Sequence, residues 1–182
     1  MDYTRTIGFT NCGEYSKLSG GCTLADNYLN NVWFQAEEVF LIDGAPEDRQ
    51  HAFWVPIDPH YYKLSKKLVG MKLDGCVNTT TCLRRSPKVA IVKREVSSST
   101  YLDNAAYRNF IDENFGATPI DKDSASVALI CLQQRKPFVI IRSLSDLAGG
   151  DSLESNEADA FSILAATNSV KVVVEFINSL PK

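Results

Sequence analysis

A chain of 182 residues, 45% apolar and 23% charged, has the size and composition of one globular domain with a core of its own. Its formal charge of −3 excludes a nucleic-acid footprint, because neutralising phosphates takes clustered Lys and Arg, and the two tight basic pairs, Lys66-Lys67 and Arg84-Arg85, read as solvated surface. No apolar run approaches the ~20 residues of a bilayer span, so no membrane partner is expected either.

Residues 1–31 are rich in Gly, Ser, Asn and Thr with little periodicity and read as an irregular lead-in to a domain over 32–182. The opening stretch MDYTRTIGFTNCGEYSKLSGG lacks the basic and apolar parts of a secretory signal. As written, the chain is expected in the cytoplasm, and in the vacuole or outside the cell if a longer parent carries a signal. VWFQAEEVFLI, 32–42, has the β-branched and aromatic content of a strand, with Glu37-Glu38 leaving its middle ambiguous. After the loop DGAPEDRQ, Asp58-Pro59 supplies an N-cap and a first-turn proline for a helix through Leu68.

CVNTTTC follows. Cys76 and Cys82 can bridge in an oxidising compartment, and Asn78-Thr79-Thr80 is a glycosylation sequon. Five cysteines at irregular spacing with only two histidines make no zinc signature, so no metal is expected. KVAIVKREVS, 88–97, alternates as a strand. Asp103 is the expected cap of a helix whose Ala106, Tyr107, Phe110, Ile111 and Phe115 recur at helical spacing and which Gly116 ends. A short strand over 118–121 leads into the helix SASVALICLQQR, with Cys131 expected as a buried thiol. Pro137 then opens an apolar strand, 138–142, that runs into Ser143, Ser145, Asp146 and a Gly149-Gly150 turn. The last helix, about 156–180, gathers Phe161, Leu164, Ala165, Val172, Phe176 and Leu180 on one face.

Strand, helix, strand, helix, strand, helix in the second half predicts an α/β fold, a three-layer αβα arrangement with a mixed, largely parallel sheet covered on both faces. In such sheets ligands bind at the carboxyl ends of the strands. An acid there is either catalytic or a helix cap. Asp151 and Ser155 lie nearer the last helix and are the better caps, which singles out Asp146. The chain holds no P-loop, dinucleotide fingerprint, nucleophile elbow or zinc-protease helix.

IDKDSASVALICLQQRKPFVIIRSLSDLA, 120–148, resembles the carboxyl-terminal signature of the nucleoside phosphorylase superfamily, especially the methylthioadenosine/S-adenosylhomocysteine nucleosidases. In these a V-D-M-E segment starts a helix and the next strand ends in R-x-x-S-D. EADAF…AATNSVKVVVEFI is similar to the family's terminal helix, while VWFQAEEVF, HAFWVPIDPHYY, CVNTTTC and YLDNAAYRNF resemble the plant branch of bark or vegetative storage proteins. The resemblance covers about residue 30 to the end.

It implies that Asp146 protonates N7 of a purine nucleoside, a general-acid step worth ~10²–10⁴ in rate, with Ser145 orienting it and Tyr101 stacking on the base. Phosphate or water would be co-substrate, with no cofactor. Lys122-Asp123 stands where the family has Met-Glu, so Asp123 keeps the ribose-binding carboxylate one methylene short and Lys122 replaces an apolar contact with a charge. Residues 1–31 do not resemble the family's first strands, so the chain is expected to be the second half of a longer parent, with impaired activity and an exposed edge that favours a homo-oligomer. Three functions remain open: N-ribosyl cleavage, a non-catalytic storage or stress-related protein, and a nucleoside- or base-binding module.

Overall fold

The computed structural model describes residues 6–7, 33–34, 37–45, 49–99, 101–150 and 157–181. Its elements are β1 (Thr6–Ile7), β2 (Trp33–Phe34), β3 (Glu37–Val39), β4 (Gln50–Ala52), α1 (Pro59–Ser65) continued by a 3₁₀ turn (Lys66–Leu68), β5 (Val96–Ser97), α2 (Ala105–Phe115), β6 (Ile120–Asp121), α3 (Ser124–Gln133) and α4 (Glu157–Asn178). They fall into two compact units, residues 1–56 with 94–136 and residues 57–93 with 137–182. Apart from β1, the expected lead-in over 1–31 lies outside the described residues, as do the expected caps Asp151 and Ser155.

In the first unit β1 pairs antiparallel with β2, and β3 with β4. β5 and β6 are parallel, Val96 opposite Ile120, and the crossover that a parallel pair requires is α2. The parallel register is extended by Thr118 N–H to the Arg94 carbonyl at 3.0 Å and Ser98 N–H to the Asp121 carbonyl at 2.7 Å.

The cap of α2 is Asn104, whose Oδ1 accepts from Tyr107 N–H at 2.8 Å. This corrects the expectation of Asp103: a cap side chain reaches the N–H groups two or three residues ahead, and Asn104, directly before the first helical residue, is the one so placed. Gly116 ends the helix at φ 56°, a left-handed conformation that glycine adopts without a Cβ penalty, and its N–H reaches the Asp112 carbonyl at 2.7 Å.

Phe110, Ile111, Phe115 and Ala117 form this unit's core, with Phe53, Val96, Tyr107 and Ile120 packed against it. Burial pushes the Tyr107 phenol above its ordinary pKa. Arg94 donates to the Phe115 carbonyl at 2.8 Å, satisfying one of the orphan carbonyls at the helix end, and its guanidinium lies 4.8 Å from the centre of the Trp54 ring.

The expected strands are shorter than their sequence patterns. Among the described residues of 32–42, Trp33–Phe34 pairs with β1 and Glu37–Val39 with β4, and 88–97 contributes only Val96–Ser97. The expected strand over 138–142 is not one. An apolar run becomes a strand only where a neighbour supplies a ladder of N–H and C=O partners. Here the Phe138 carbonyl accepts instead from Asp58 N–H at 3.0 Å. Among the described residues the sheets are three two-stranded pairs. In α3 the expected burial is also partial. Ala128 is buried, Cys131 is a half-buried free thiol, and Val127 and Ile130 are exposed.

The second unit begins as expected. Asp58 accepts from Tyr61 N–H at 2.9 Å, Pro59 stands in the first turn, and the helical stretch ends at Leu68. Leu64 and Leu68 form a core with Val172 and Phe176 of α4, and Tyr61, Met71, Leu73, Val89, Val139, Ile141 and Leu180 pack around it.

The buried row of α4, Leu164, Asn168, Val172 and Phe176, recurs every fourth residue. Asn168, only 3% exposed, accepts from Asp74 N–H and donates to the Asp74 carbonyl, both at 2.9 Å. Lys171 pairs with the Asp74 carboxylate. From this anchor springs a hairpin closed by a Cys76–Cys82 disulfide, with Val77 N–H on the Thr81 carbonyl at 2.9 Å and Leu83 N–H on the Gly75 carbonyl at 2.7 Å.

The opposite face of α4 is apolar too: Ile163, Val170, Val174 and Ile177 are exposed. Residues 160–178, with a mean hydropathy of 1.5, are therefore long and apolar enough to cross a membrane by length and composition. This corrects the sequence expectation, because Lys171 and Glu175 interrupt the run without cancelling its average. The buried Asn168 and its backbone partners are features of a helix packed on a core.

Replacing Asn168 by alanine is expected to destabilise the chain by roughly 1–2 kcal/mol, since both Asp74 backbone groups lose their partner. The measurement is the urea midpoint at unchanged slope. A midpoint equal to the wild type would show that water replaces the amide at no cost.

Candidate functional site

Ser145 and Asp146 follow the segment whose Val139 and Ile141 rest on the second unit's core. They precede a turn in which Gly149 and Gly150 both have positive φ, 73° and 46°, and Gly150 N–H bonds the Leu147 carbonyl at 2.7 Å. Both side chains are half-buried. The Ser145 hydroxyl donates to Asp146 Oδ1 at 2.6 Å, which fixes the carboxyl group and leaves its second oxygen without a partner among the described residues. A carboxyl group held in this way can exchange a proton with a nitrogen brought within hydrogen-bond reach.

Tyr101, Lys122 and Asp123 belong to the first unit. Tyr101 is 68% exposed, and the Lys122 ammonium lies 5.5 Å from the centre of its ring. A cation in that position is held by the ring quadrupole with ~0.5–1 kcal/mol at an exposed site. Lys122 therefore occupies the aromatic face that the resemblance assigns to a base.

Asp123 stands at the head of α3 with an exposed carboxylate that makes no capping bond. The capping is done by Asp121, a residue the sequence reading passed over. Its carboxylate accepts from the backbone N–H of Asp123 and of Ser124, each at 3.2 Å, and from the Ser124 hydroxyl. It also accepts from the Ser97 hydroxyl at 2.5 Å, while Ser97 Oγ accepts from Ala125 N–H at 2.8 Å. The signal was present as an acid three residues ahead of Ser124, the spacing at which a cap reaches the first free N–H groups. Because Asp121 meets the helix's demand, the Asp123 carboxylate is uncommitted.

The structure thus brings Ser145 to Asp146 in one unit and Lys122 to Tyr101, beside Asp123, in the other. Cys76, Cys82 and Asn78 share the hairpin of the second unit. A cavity of about 380 Å³ in that unit is lined by residues of 70–75 and 86–89, and none of the candidate residues lines it. Among the described residues no three His, Cys, Asp or Glu side chains are grouped to hold a metal ion.

Residues 45–178 match the family model of the Phosphorylase superfamily. Bark storage protein B and Bark storage protein A of Populus deltoides are each 34% identical over 157 residues, which is 86% of this chain and 48% of the relative. The 5'-methylthioadenosine/S-adenosylhomocysteine nucleosidase of Bacillus cytotoxicus is 29% identical over 131 residues, 69% of this chain and 52% of the relative. The chain spans about half the length of these curated relatives. No solved structure matches it.

The division of labour between the two acids of α3 is testable by stability. Asp121→Ala is expected to cost roughly 1–2 kcal/mol by loss of a cap, whereas Asp123→Ala stays within about 0.5 kcal/mol of the wild type, as for a surface group without a partner. Equal losses in chemical denaturation would assign part of the capping to Asp123.

Proposed function

This chain belongs to the Phosphorylase superfamily, and from that premise we propose that it takes purine nucleosides or their bases and retains the acid of N-ribosidic cleavage, with turnover impaired. The observation that carries this reading is the Ser145–Asp146 pair. Asp146 gives its proton to N7 of the purine as the C1'–N9 bond breaks, the electrons of that bond pass into the ring, and the base leaves neutral. Phosphate, or water with loss of one proton to solvent that restores the Asp146 acid, adds to C1' as acceptor, without a metal or cofactor. Ser145 holds the acid in register, Tyr101 stacks on the base and Asp123 takes the ribose hydroxyls.

Two features account for the impairment. Lys122 sits over the ring that should receive the base, and Asp123 is one methylene shorter than the glutamate of the resembling enzymes. A misplacement of ~1 Å costs about a hundredfold in rate.

The fold proposed for 32–182 is the matching part of a three-layer αβα sandwich with a mixed, largely parallel sheet, of which β5 and β6 are one parallel pair. A second copy of the chain is proposed to cover the exposed row Ile163, Val170, Val174 and Ile177 of α4, making a homo-oligomer. Light scattering is expected to return a mass above that of the monomer, reduced by Val170→Lys. A monomeric wild type would remove this part.

A second reading, a non-catalytic storage protein, is favoured by the run of similarity to the bark storage proteins, which takes in more of this chain than the similarity to the bacterial nucleosidase does. Release of free base from methylthioadenosine, adenosine and inosine, with and without phosphate, separates the two. The catalytic reading expects slow release that falls ~10²-fold or more in Asp146→Asn, and tighter nucleoside binding in Lys122→Met. Release indifferent to Asp146→Asn would overturn the acid's role. Neither binding nor release would leave the storage reading standing.

A further inference from the structure

The hairpin from Cys76 to Cys82 is used by neither functional reading, yet its base, neck and rungs are each held by specific contacts. Its base is held by the Asn168 amide on both backbone groups of Asp74, its neck by the disulfide, and its rungs by the Val77–Thr81 and Leu83–Gly75 backbone bonds. The tip consists of exposed polar residues.

At that tip Asn78 Oδ1 accepts from Thr80 N–H at 2.9 Å, from Thr81 N–H at 2.7 Å and from the Thr80 hydroxyl at 3.0 Å. Backbone N–H groups can only donate, so the atom facing them must be the amide oxygen. The amide nitrogen then points away from the turn. Among the described residues nothing accepts a hydrogen bond from it.

Three donors on one carbonyl oxygen draw electron density from the amide and make its N–H protons more acidic, which is what an otherwise unreactive amide nitrogen needs in order to form a bond to carbon. The hydroxyl that supplies one of them belongs to the third residue of Asn78-Thr79-Thr80, the one sequon in the chain. A disulfide persists in an oxidising compartment, where the transfer of oligosaccharide to asparagine also takes place.

We propose that Asn78 is an N-glycan acceptor, displayed by the disulfide-closed hairpin. In the transfer, Asn78 Nδ2 forms a bond to C1 of the first sugar of a lipid-diphosphate-linked oligosaccharide. The bond from that C1 to the diphosphate oxygen breaks, the lipid diphosphate leaves with the bonding pair, and one Nδ2 proton passes to a base of the transferase. Neither an oxidant nor a reductant is consumed. The attached glycan stands on an exposed tip in which Val77 is the partly exposed apolar neighbour, so it can be accommodated without displacing the core.

The chain is directed into the endoplasmic reticulum of plant or insect cells by a cleavable signal sequence, and product from cells and medium is peptide-mapped before and after peptide N-glycosidase. The peptide containing Asn78 is expected to carry one N-acetylglucosamine-based glycan, released with conversion of Asn78 to aspartate. Asn78→Gln and Thr80→Ala abolish it, and Thr80→Ser, which restores the hydroxyl, keeps it. Wild-type chain with the Cys76–Cys82 bond formed and Asn78 unmodified would overturn the proposal, as would a Thr80→Ala chain as fully modified as the wild type. An unchanged far-UV spectrum of Asn78→Gln separates loss of the acceptor from loss of the fold.

Discussion

The carboxylate of Asp121 is the constraint on which the first unit's candidate residues depend. It gathers the Ser97 hydroxyl of one strand and the leading N–H groups of α3 onto a single acid, and so fastens the parallel pair to the helix that follows. A helix N-terminus carries a partial positive charge and unsatisfied donors, and an acid at that point answers both. With the demand met from position 121, Lys122 is free to lie over Tyr101 and Asp123 to keep an open carboxylate. The geometry of these residues follows from one capping contact.

The second unit is organised by a different economy. α4 buries one row of side chains every fourth residue and, in the middle of that row, a polar amide that closes both backbone groups of Asp74. A buried amide is tolerated only when its hydrogen bonds are made, so Asn168 fixes which turn of the helix faces the hairpin. The other face of α4 remains apolar and exposed. A helix apolar on both sides is suited to being covered on both.

The chain is a member of the Phosphorylase superfamily and matches storage proteins and nucleosidases over about half their length. The Ser145–Asp146 contact needs only neighbouring residues and a glycine turn to form. Contacts between residues distant in sequence need side chains of defined reach, as Lys122 over the Tyr101 ring shows.

The sequence by itself determined the local features whose physics is contained in a few adjacent residues. Asp58-Pro59 opens α1, Gly116 closes α2, the apolar face of α4 runs through Leu164, Val172 and Phe176, and Ser145 stands beside Asp146. The family resemblance, too, was legible in linear motifs. Tertiary structure alone decided whether an apolar run becomes a strand, because a ladder partner must come from elsewhere in the chain, and 88–95 and 138–142 form no strand. It decided that Asn104 rather than Asp103 caps α2, a matter of one residue of reach, and that Asp121 takes the capping bonds while Asp123 does not. Lys122 over Tyr101, and Asn168 on Asp74 across 94 positions of sequence, were out of sight for the same reason. Periodicity and capping signals report on neighbours along the chain, and these contacts join residues that only folding makes neighbours.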